Sequence, residues 1–372
     1  MRALAVFVKS LREQARDPWV LVLTLVSAPI FVLLYWLITG GGSTTYTVLV
    51  LDEDGGARAA EAISSIRRTA YPDGQPMIGV TPVGDRERAE RMIEEREAMA
   101  LVVIPEGFSR SIDAGSRPSV TLVGDVGNPY YTIAAVMTTA SVSSYVERAT
   151  GREPVLEFGE DLMGTAERTE FEHYVPGVLM IAIMMMLFAA SMSVAREIES
   201  GTLARLRMTR MSALDFLAGA SGAQIVVGLA ALGLTILVAR LLGFRSVGPL
   251  WAAFAIGALA AVSVVGIGLA VACFSRTVVR AFLVANLPFM MLMFFSGAAF
   301  PMPRIPVWTV GARTIGLFDF LPTTHAVNAL GRILSLGAGP SGVLYEIVML
   351  AVLSALYFAL GVALFHRRHL RG

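Results

Sequence analysis

The sequence is poor in cysteine, lysine and charged residues, and each scarcity excludes a class of protein. Of 372 residues only Cys273 is a cysteine, so an intramolecular disulfide framework is excluded. Lys9 is the one lysine and follows Val8 rather than a glycine run, so the chain has no Walker A loop with which to bind ATP. Charged residues make up 16% of the chain and hydrophobic residues 55%, and the mean hydropathy is +0.66. Water alone does not solvate such a chain, and its composition predicts a polytopic membrane protein.

The net charge of +1 conceals an uneven distribution of acidic residues. Residues 41–172 hold 22 of the 29 acidic side chains together with 12 arginines, whereas the rest of the chain is basic. This split predicts one polar domain, residues 41–172, inserted into a membrane-embedded body.

Six stretches without Asp, Glu, Lys, Arg or His are long enough to cross a bilayer, which takes about 20 helical residues. The first is too long for a signal-peptide core and no small-x-small cleavage site follows it, so we expect it to be retained. Five more follow the polar domain, within residues 173–365. The predicted spans are Trp19–Thr39, Tyr174–Ala195, Phe216–Ala239, one within Ser246–Ser275, Ala281–Pro303 and Ile347–Phe365.

The short connections between these spans differ in basic residues, which concentrate on the cytoplasmic side of membrane proteins. With the N-terminus inside, the inner connections carry 13 basic residues and the outer ones, of similar total length, carry 5. This asymmetry predicts that both termini are cytoplasmic and that residues 41–172 are extracytoplasmic. It also predicts an outer-surface or re-entrant segment over 301–342 and a basic cytoplasmic tail over 366–372, where His366 and His369 accompany arginines at the membrane surface.

Residues 1–18 have the pattern of an amphipathic helix. Apolar side chains recur at Leu4, Phe7, Val8 and Leu11, while basic residues, including Lys9, take the other side. This pattern predicts an interfacial helix on the inner leaflet, which ends at Asp17-Pro18.

Residues 41–172 alternate between β-rich and helical patterns. The predicted strands are Tyr46–Leu51, Ile78–Val83, Leu101–Ile104 and Ser119–Val123, and the predicted helices are Ala57–Thr69, Asp85–Met99 and Tyr130–Ala149. Strands that alternate with helices favour a mostly parallel sheet. The predicted fold class is therefore a polytopic α-helical membrane protein with six transmembrane helices and an inserted extracytoplasmic α/β domain.

The loop between the second and third predicted spans carries the most specific motif, Arg-Glu-Ile-Glu-Ser-Gly-Thr-Leu-Ala-Arg-Leu-Arg at 196–207. After Arg196, its acidic residues precede its other basic ones, which suits the two ends of a short helix dipole. The motif predicts a helix over 196–213 that inserts into a groove of a partner protein. A solvated turn between two helices is the alternative.

This motif resembles the coupling helix of ABC-2 type exporter permeases, with an acidic pair, then Gly-Thr-Leu, then alternating basic and leucine residues. Thr209-Arg210 and Ala220 depart from the family pattern, which commonly has Thr-Pro and a lysine at those places. The segment from Ser296 to Trp308, followed by Leu321-Pro322-Thr323-Thr324, is similar to the family's turn after the fifth helix. Residues 100–109 resemble the subgroup with a large insert between the first two helices. The residues that match the coupling pattern are Glu197, Glu199, Gly201, Thr202, Leu203, Leu206 and Arg207.

The resemblance implies a permease subunit of an ATP-driven exporter in a bacterial cytoplasmic membrane. A separate cytoplasmic ABC ATPase would use ATP and Mg²⁺, and the permease would pair with a second permease as a homodimer or a heterodimer. Membrane lipids are expected partners and nucleic acid is not. The chain itself is expected to hold no cofactor, metal or catalytic site. The expected cargo is amphipathic or lipid-like: a drug, a lipid or a small peptide.

Methionines and two amides within the spans are candidates for the cargo path. Flexible thioethers suit a surface that accepts varied apolar cargo, although ordinary helix packing explains them equally well. Buried amides commonly form hydrogen bonds between helices. The candidates are Met184, Met185, Gln224, Asn286, Met290 and Met293.

Three other patterns favour structural explanations over ligand sites. Residues 337–342 satisfy G-x-G-x-x-G but follow no strand, so they do not predict a dinucleotide site. Asp52, Glu53 and Asp54 lack the spacing of an EF-hand and suit an acidic turn between a strand and a helix. His173 and His325 form no recognisable metal motif.

Two rival functions remain at this point. One is a non-transporting envelope device that transmits ATPase motion to the polar domain. The other is an intramembrane enzyme, which is disfavoured because no HExxH, G-x-S-x-G or intramembrane carboxylate pair is present.

Overall fold

The computed structural model describes residues 2–38, 44–71, 74–95, 97–125, 128–151, 168–202, 212–300, 302–303, 305–310 and 313–369. The chain forms two compact units. The helical unit comprises Met1–Gly41 and Glu170–Gly372, and the α/β unit comprises Gly42–Thr169.

In chain order, the helices are α1 Arg2–Arg16, α2 Pro18–Ile38, α3 Ala57–Arg67, α4 Arg86–Glu94, α5 Phe108–Asp113, α6 Pro129–Thr150, α7 Glu170–Met184, α8 Met186–Glu199, α9 Ala213–Leu241, α10 Leu250–Cys273, α11 Val278–Phe295, α12 Pro322–Leu330 and α13 Leu344–His369. The strands are β1 Tyr46–Asp52, β2 Ile78–Pro82, β3 Ala100–Ile104, β4 Thr121–Val123, β5 Pro306–Val310 and β6 Arg313–Gly316.

The α/β unit contains a four-stranded sheet in the order β2-β1-β3-β4. Strand β1 runs parallel to β2 and β3, whereas β4 is antiparallel to β3. The connection between β3 and β4 contains the six-residue helix α5, after which β4 runs back along β3.

Each face of this sheet packs against helices. One face, with Val48, Val50 and Val102, packs against apolar residues of α3, α5 and α6. The other face, with Leu49 and Leu101, packs against α4. Alternate residues of β1 and β3 therefore belong to different cores, as expected for a sheet covered on both faces.

The helical unit has one continuous apolar core, to which α7, α8, α9 and α10 contribute most of the buried side chains. Helices α10 and α13 approach each other at a pair of glycines. A Cβ added at Gly266 would lie 2.6 Å from Phe358 Cα, and one at Gly361 would overlap the Gly266 carbonyl. Small residues allow helix backbones to approach closely, as is common where helices pack in membranes.

Among the described residues, five helical stretches are long and apolar enough to cross a membrane, and Thr24–Ile38 within α2 is a shorter apolar stretch. The five are Glu170–Glu199, Leu214–Leu241, Leu250–Cys273, Val278–Phe295 and Pro340–Arg368.

One predicted span differs in detail from the structure. The second predicted span, Tyr174–Ala195, lies within the helical stretch Glu170–Glu199, where Met185, between α7 and α8, keeps helical dihedral angles (φ −59°, ψ −24°). The fifth is predicted to reach Pro303, but α11 ends at Phe295, before the left-handed Gly297 (φ 82°). The prediction rests on the absence of charged residues, which does not separate the turn at Ser296-Gly297 from the helix before it.

The segment predicted as 301–342 contains several short elements. An antiparallel β5–β6 hairpin precedes a 3₁₀ turn, α12 and a π-helical turn over Gly331–Ser335. His325 of α12 is buried, its Nε2 lies 2.8 Å from the Asp319 carbonyl oxygen, and its ring packs edge-on against Tyr345. His325 is thus a packed core residue.

Candidate functional site

The acidic half of the predicted coupling motif lies in the last turn of α8. The helix continues through Glu199, and Gly201 follows in a left-handed conformation (φ 70°) that favours glycine. The prediction that the acidic residues begin a separate short helix is therefore wrong for Glu197 and Glu199. At the C-terminus of α8 their charges oppose the helix dipole and require cationic or N–H partners from elsewhere.

Glu197 has such a partner in α1. The Lys9 ammonium donates a hydrogen bond of 2.7 Å to Glu197 Oε1, and the Glu197 side chain is only 13% exposed. Burial disfavours the charged form of Lys9, but the hydrogen bond and charge of Glu197, together with Glu13, outweigh it and raise the pKa of Lys9. The interaction joins residues 188 positions apart and fixes α1 to the end of α8.

Glu199 contacts the start of a different helix. Its Oε2 accepts a hydrogen bond of 2.8 Å from the backbone N–H of Val278, the first residue of α11. A carboxylate at a helix N-terminus satisfies a free N–H group and interacts favourably with the helix dipole. Glu199 therefore links the end of α8 to the beginning of α11.

A third contact completes what we call the charged junction, formed by Lys9, Asp17, Arg196, Glu197, Glu199 and the Val278 N–H. Arg196 Nη2 lies 3.0 Å from Asp17 Oδ2, at the break between α1 and α2. The charged junction thus connects α8 with α1, the start of α2 and α11. A displacement of the end of α8 would act on three other helices.

Helix α1 also packs directly against α9. A Cβ added at Gly219 would collide with the Ala3 carbonyl and the Val6 side chain, and Phe7 packs beside Gly222. Val6 is 5% exposed. The amphipathic helix predicted to lie on a membrane surface is therefore held on one face by α9.

The remaining residues of the predicted coupling site, Leu203, Leu206 and Arg207, lie outside the described residues. The described chain resumes at Ser212, whose Oγ accepts from the Asp215 N–H at 3.0 Å while Asp215 accepts from the Ser212 N–H at 3.2 Å. This reciprocal capping begins α9. Thr202 is described, and its hydroxyl lies 2.8 Å from Ser200 Oγ.

The basic end of α13 lies beside the end of α10 and the start of α9. The Arg368 guanidinium carbon is 4.9 Å from the ring centroid of Phe274, which caps α10. His366 and Arg367 line a cleft of about 580 Å³ between the end of α13 and the start of α9. Its other lining residues include Leu214 and Leu217, so the cleft has apolar walls beside two basic side chains.

The candidate pathway residues occupy different environments. Met184 is fully buried in the helical core, and Gln224 donates to the Ala189 carbonyl at 3.4 Å, as expected for an amide between helices. Asn286 instead donates to the Phe282 carbonyl of its own helix at 2.9 Å, so the expectation of an interhelical bond is wrong for this residue. On α11, Met290 is 46% exposed. Met185 and Met293 are partly buried against the core.

The comparison with known families decides the class of protein. Residues 18–363 match the family model described as ABC-2 family transporter protein. The chain belongs to the ABC-2 transporter family. It is therefore the permease component of an ABC transporter, in an integral membrane family whose permeases work with cytoplasmic ATPase subunits.

Two relatives from Escherichia coli strain K12 are similar to this ABC-2 permease along most of its length. The probable multidrug ABC transporter permease YbhR is 24% identical over 308 residues, which cover 81% of this chain and 82% of YbhR. The probable multidrug ABC transporter permease YbhS is 24% identical over 380 residues, covering 96% of this chain and 95% of YbhS.

Sequence reasoning about this ABC-2 permease did not anticipate the charged junction. Lys9 was assigned to the polar face of α1 and Asp17 to its end, and neither was paired with the motif at 196–207. The available signal was weak: opposite charges occur in two segments that were predicted on the same side of the membrane. A separation of 188 residues leaves no local spacing rule to identify the pair.

Proposed function

We propose that the chain is the membrane-spanning subunit of an ATP-driven exporter that moves an amphipathic or lipid-like substrate, such as a drug, a lipid or a small peptide, out of the cell. The observation that carries the mechanism is the charged junction. It ties the start of the 197–207 motif to α1, α2 and α11 through Lys9, Asp17 and the Val278 N–H. The description of the relatives as probable multidrug permeases supports this cargo class.

In this proposal the chain has six transmembrane helices, the first being α2, and both termini are cytoplasmic. The 13-to-5 distribution of basic residues supports this orientation, which makes the α/β unit extracytoplasmic. The membrane is the bacterial cytoplasmic membrane. Two permeases, identical or paired, would enclose the cargo path. ATP and Mg²⁺ are used by the partner ATPase.

The proposed mechanism begins with closure of the ATPase subunits around nucleotide. Residues 197–207 contact the ATPase, and Leu203, Leu206 and Arg207 supply the apolar anchor and the complementary charge. Movement of this segment displaces the end of α8, and the charged junction passes the displacement to α1 and α11. Helix α11 carries Met290 and Asn286, so its displacement changes the surface offered to cargo.

Truncation of the apolar anchor tests this function. Leu203→Ala with Leu206→Ala should abolish co-purification of the ATPase or uncouple ATP hydrolysis from efflux of a fluorescent amphipathic dye. A buried anchor typically contributes about 2 kcal/mol or more, or roughly a 30-fold change in affinity. Leu241→Ala is the matched control, because Leu241 is 77% exposed at the opposite end of α9. Full ATPase binding and efflux in the double variant would contradict the proposal.

The alternative function is an ABC-coupled envelope device that transmits ATPase motion without moving cargo. The α/β unit has apolar cores of its own, so it is a folded domain with a surface that a partner protein can contact. Reconstituted vesicles distinguish the two functions. Cargo-stimulated ATP hydrolysis with dye transport favours export, whereas nucleotide-dependent movement of spin labels on the α/β unit without dye transport favours the device.

A further inference from the structure

The α/β unit contains a cavity that the transport mechanism does not use. It has a volume of about 570 Å³, which is within the range of roughly 300–1,000 Å³ typical of small-ligand sites. We call it the α6 cavity. It is lined by Val102, Phe108, Arg117, Pro118, Val120, Leu122, Thr138, Thr139, Val142, Ser143, Val146 and Glu147.

Helix α6 forms one wall of this cavity with two rows of side chains. Residues four apart lie on one face of a helix. The inner row is buried or partly buried, whereas the outer row is exposed and polar. The inner row is Thr138, Val142 and Val146, and the outer row is Thr139, Ser143 and Glu147. From Thr138 to Glu147 the wall is about 13 Å long, so the cavity is elongated.

The opposite wall and the floor are apolar. Pro118, Val120 and Leu122 line the cavity from β4 and the segment that leads into it. Leu122 pairs with Val102 of β3, which is fully buried and belongs, with Phe108, to the core of this face of the sheet. The cavity therefore offers an apolar trough between a sheet edge and a helix.

Two side chains of opposite charge lie at the exposed edge of the same cavity. Arg117 and Glu147 are both exposed, and neither forms an ion pair with another described residue. An apolar trough bordered by one cation and one anion is complementary to an elongated molecule with an apolar body and a head of both charges.

We propose that the α6 cavity is a binding site for a single-chain amphipathic zwitterion. The apolar chain lies along Val120, Leu122 and Val142, and Arg117 and Glu147 contact the anionic and cationic parts of the head. This assignment is independent of the transported cargo and of the direction of transport.

Photolabelling of the full chain in lipid nanodiscs tests the proposal. Three probes share a decyl chain with a diazirine and differ in the head: a sulfobetaine zwitterion, a trimethylammonium cation and a sulfate anion. Peptide mapping should find adducts at 118–122 and 138–146, with the zwitterion effective at concentrations about tenfold below those of the other two. Adducts on the membrane helices give an internal measure of probe dissolved in lipid.

Variants at the rim sharpen the test. Ser143→Trp should fill the cavity and lower its labelling about tenfold, while Ser144→Trp, exposed on α6 but outside the lining, should not. Arg117→Glu should shift the preference to the cation and Glu147→Arg to the anion, and the double reversal should restore the zwitterion. Equal labelling by all three heads, no effect of Ser143→Trp, or no adducts in the cavity would each overturn the proposal.

Discussion

The helical unit and the α/β unit use the same apolar residue types in opposite ways. In the α/β unit, large apolar side chains point into two cores on either face of a sheet, and charge covers the outside. In the helical unit, apolar residues face both the core and the outside, as in α11, where Leu287 is 71% exposed. An exposed leucine is a cost in water but neutral in lipid, so the two units are built for two solvents.

Charged residues show the same contrast. On the surface of the α/β unit, pairs such as Arg86–Glu90 lie on one helix and are screened by solvent. In the helical unit, charged side chains lie at helix ends, where the Lys9–Glu197 ion pair joins two helices that are distant in sequence. Where most of the surface is apolar, few places remain for charge, and the charged residues at those places connect helices that are distant in sequence.

The largest expected difference between the units is in the cost of truncating a leucine. Leu101→Ala should lower the free energy of unfolding of the α/β unit by about 3 kcal/mol, because Leu101 is fully buried in the β3–α4 core. Leu287→Ala should change stability by less than about 0.5 kcal/mol. Hydrogen exchange of each unit in nanodiscs measures both. A comparable loss at Leu287 would show that α11 packs against protein rather than lipid.

A methyl group at a helix crossing should have the next largest effect. Gly266→Ala should destabilise the helical unit by about 2 kcal/mol, because the new Cβ meets the backbone of α13 at Phe358. Gly331→Ala is the control, since its Cβ meets no atom within 4 Å. Thermal unfolding in detergent compares the two variants. Equal midpoints would mean that α10 and α13 separate without cost.

The coupling energy of an ion pair should also differ between the two units, but by a smaller amount. A double-mutant cycle with Lys9→Met and Glu197→Gln should give a coupling energy of about 1 kcal/mol, measured from the exchange of α1 amides. The same cycle with Arg86→Met and Glu90→Gln should give about 0.3 kcal/mol, because both partners in α4 are exposed. If the two coupling energies are equal, the charged junction is an ordinary surface contact.

The smallest expected effect is the loss of local stability around Asp54 at acid pH. The Ser109 hydroxyl, together with the backbone N–H groups of Ser109, Gly56 and Gly107, outweighs burial and lowers the pKa of Asp54. A lowered carboxyl pKa contributes stability above the unfolded value, near pH 4, and this contribution disappears as the pH falls through the folded pKa. Exchange of residues 105–112, corrected for intrinsic rates, should therefore accelerate at acid pH. Asp54→Asn should remove that dependence, and an unchanged profile would contradict this role.

Local patterns predicted the four strands of the α/β unit to within about two residues, because segments such as Tyr46–Asp52 and Ala100–Ile104 carry strong strand signals between clear turns. They did not predict helix α5 or the antiparallel direction of β4, and they placed the end of α4 at Met99 rather than Glu94. For the coupling site, the motif located Glu197 and Glu199 but assigned them to the wrong end of a helix. Their partners Lys9 and Val278 are joined only by the tertiary fold, which no short-range spacing encodes.

The charged junction also has a consequence for protein chemistry. Lys9 is the chain's only lysine, so, apart from the α-amine, an acylating reagent has one primary amine to modify. Acylation requires the neutral amine, and the carboxylate of Glu197 holds Lys9 in its ammonium form. Any step that pulls α8 away from α1 should increase the rate of acylation. The rate of Lys9 acylation therefore reports on the contact between α1 and α8, and intact-mass spectrometry measures it without an engineered label.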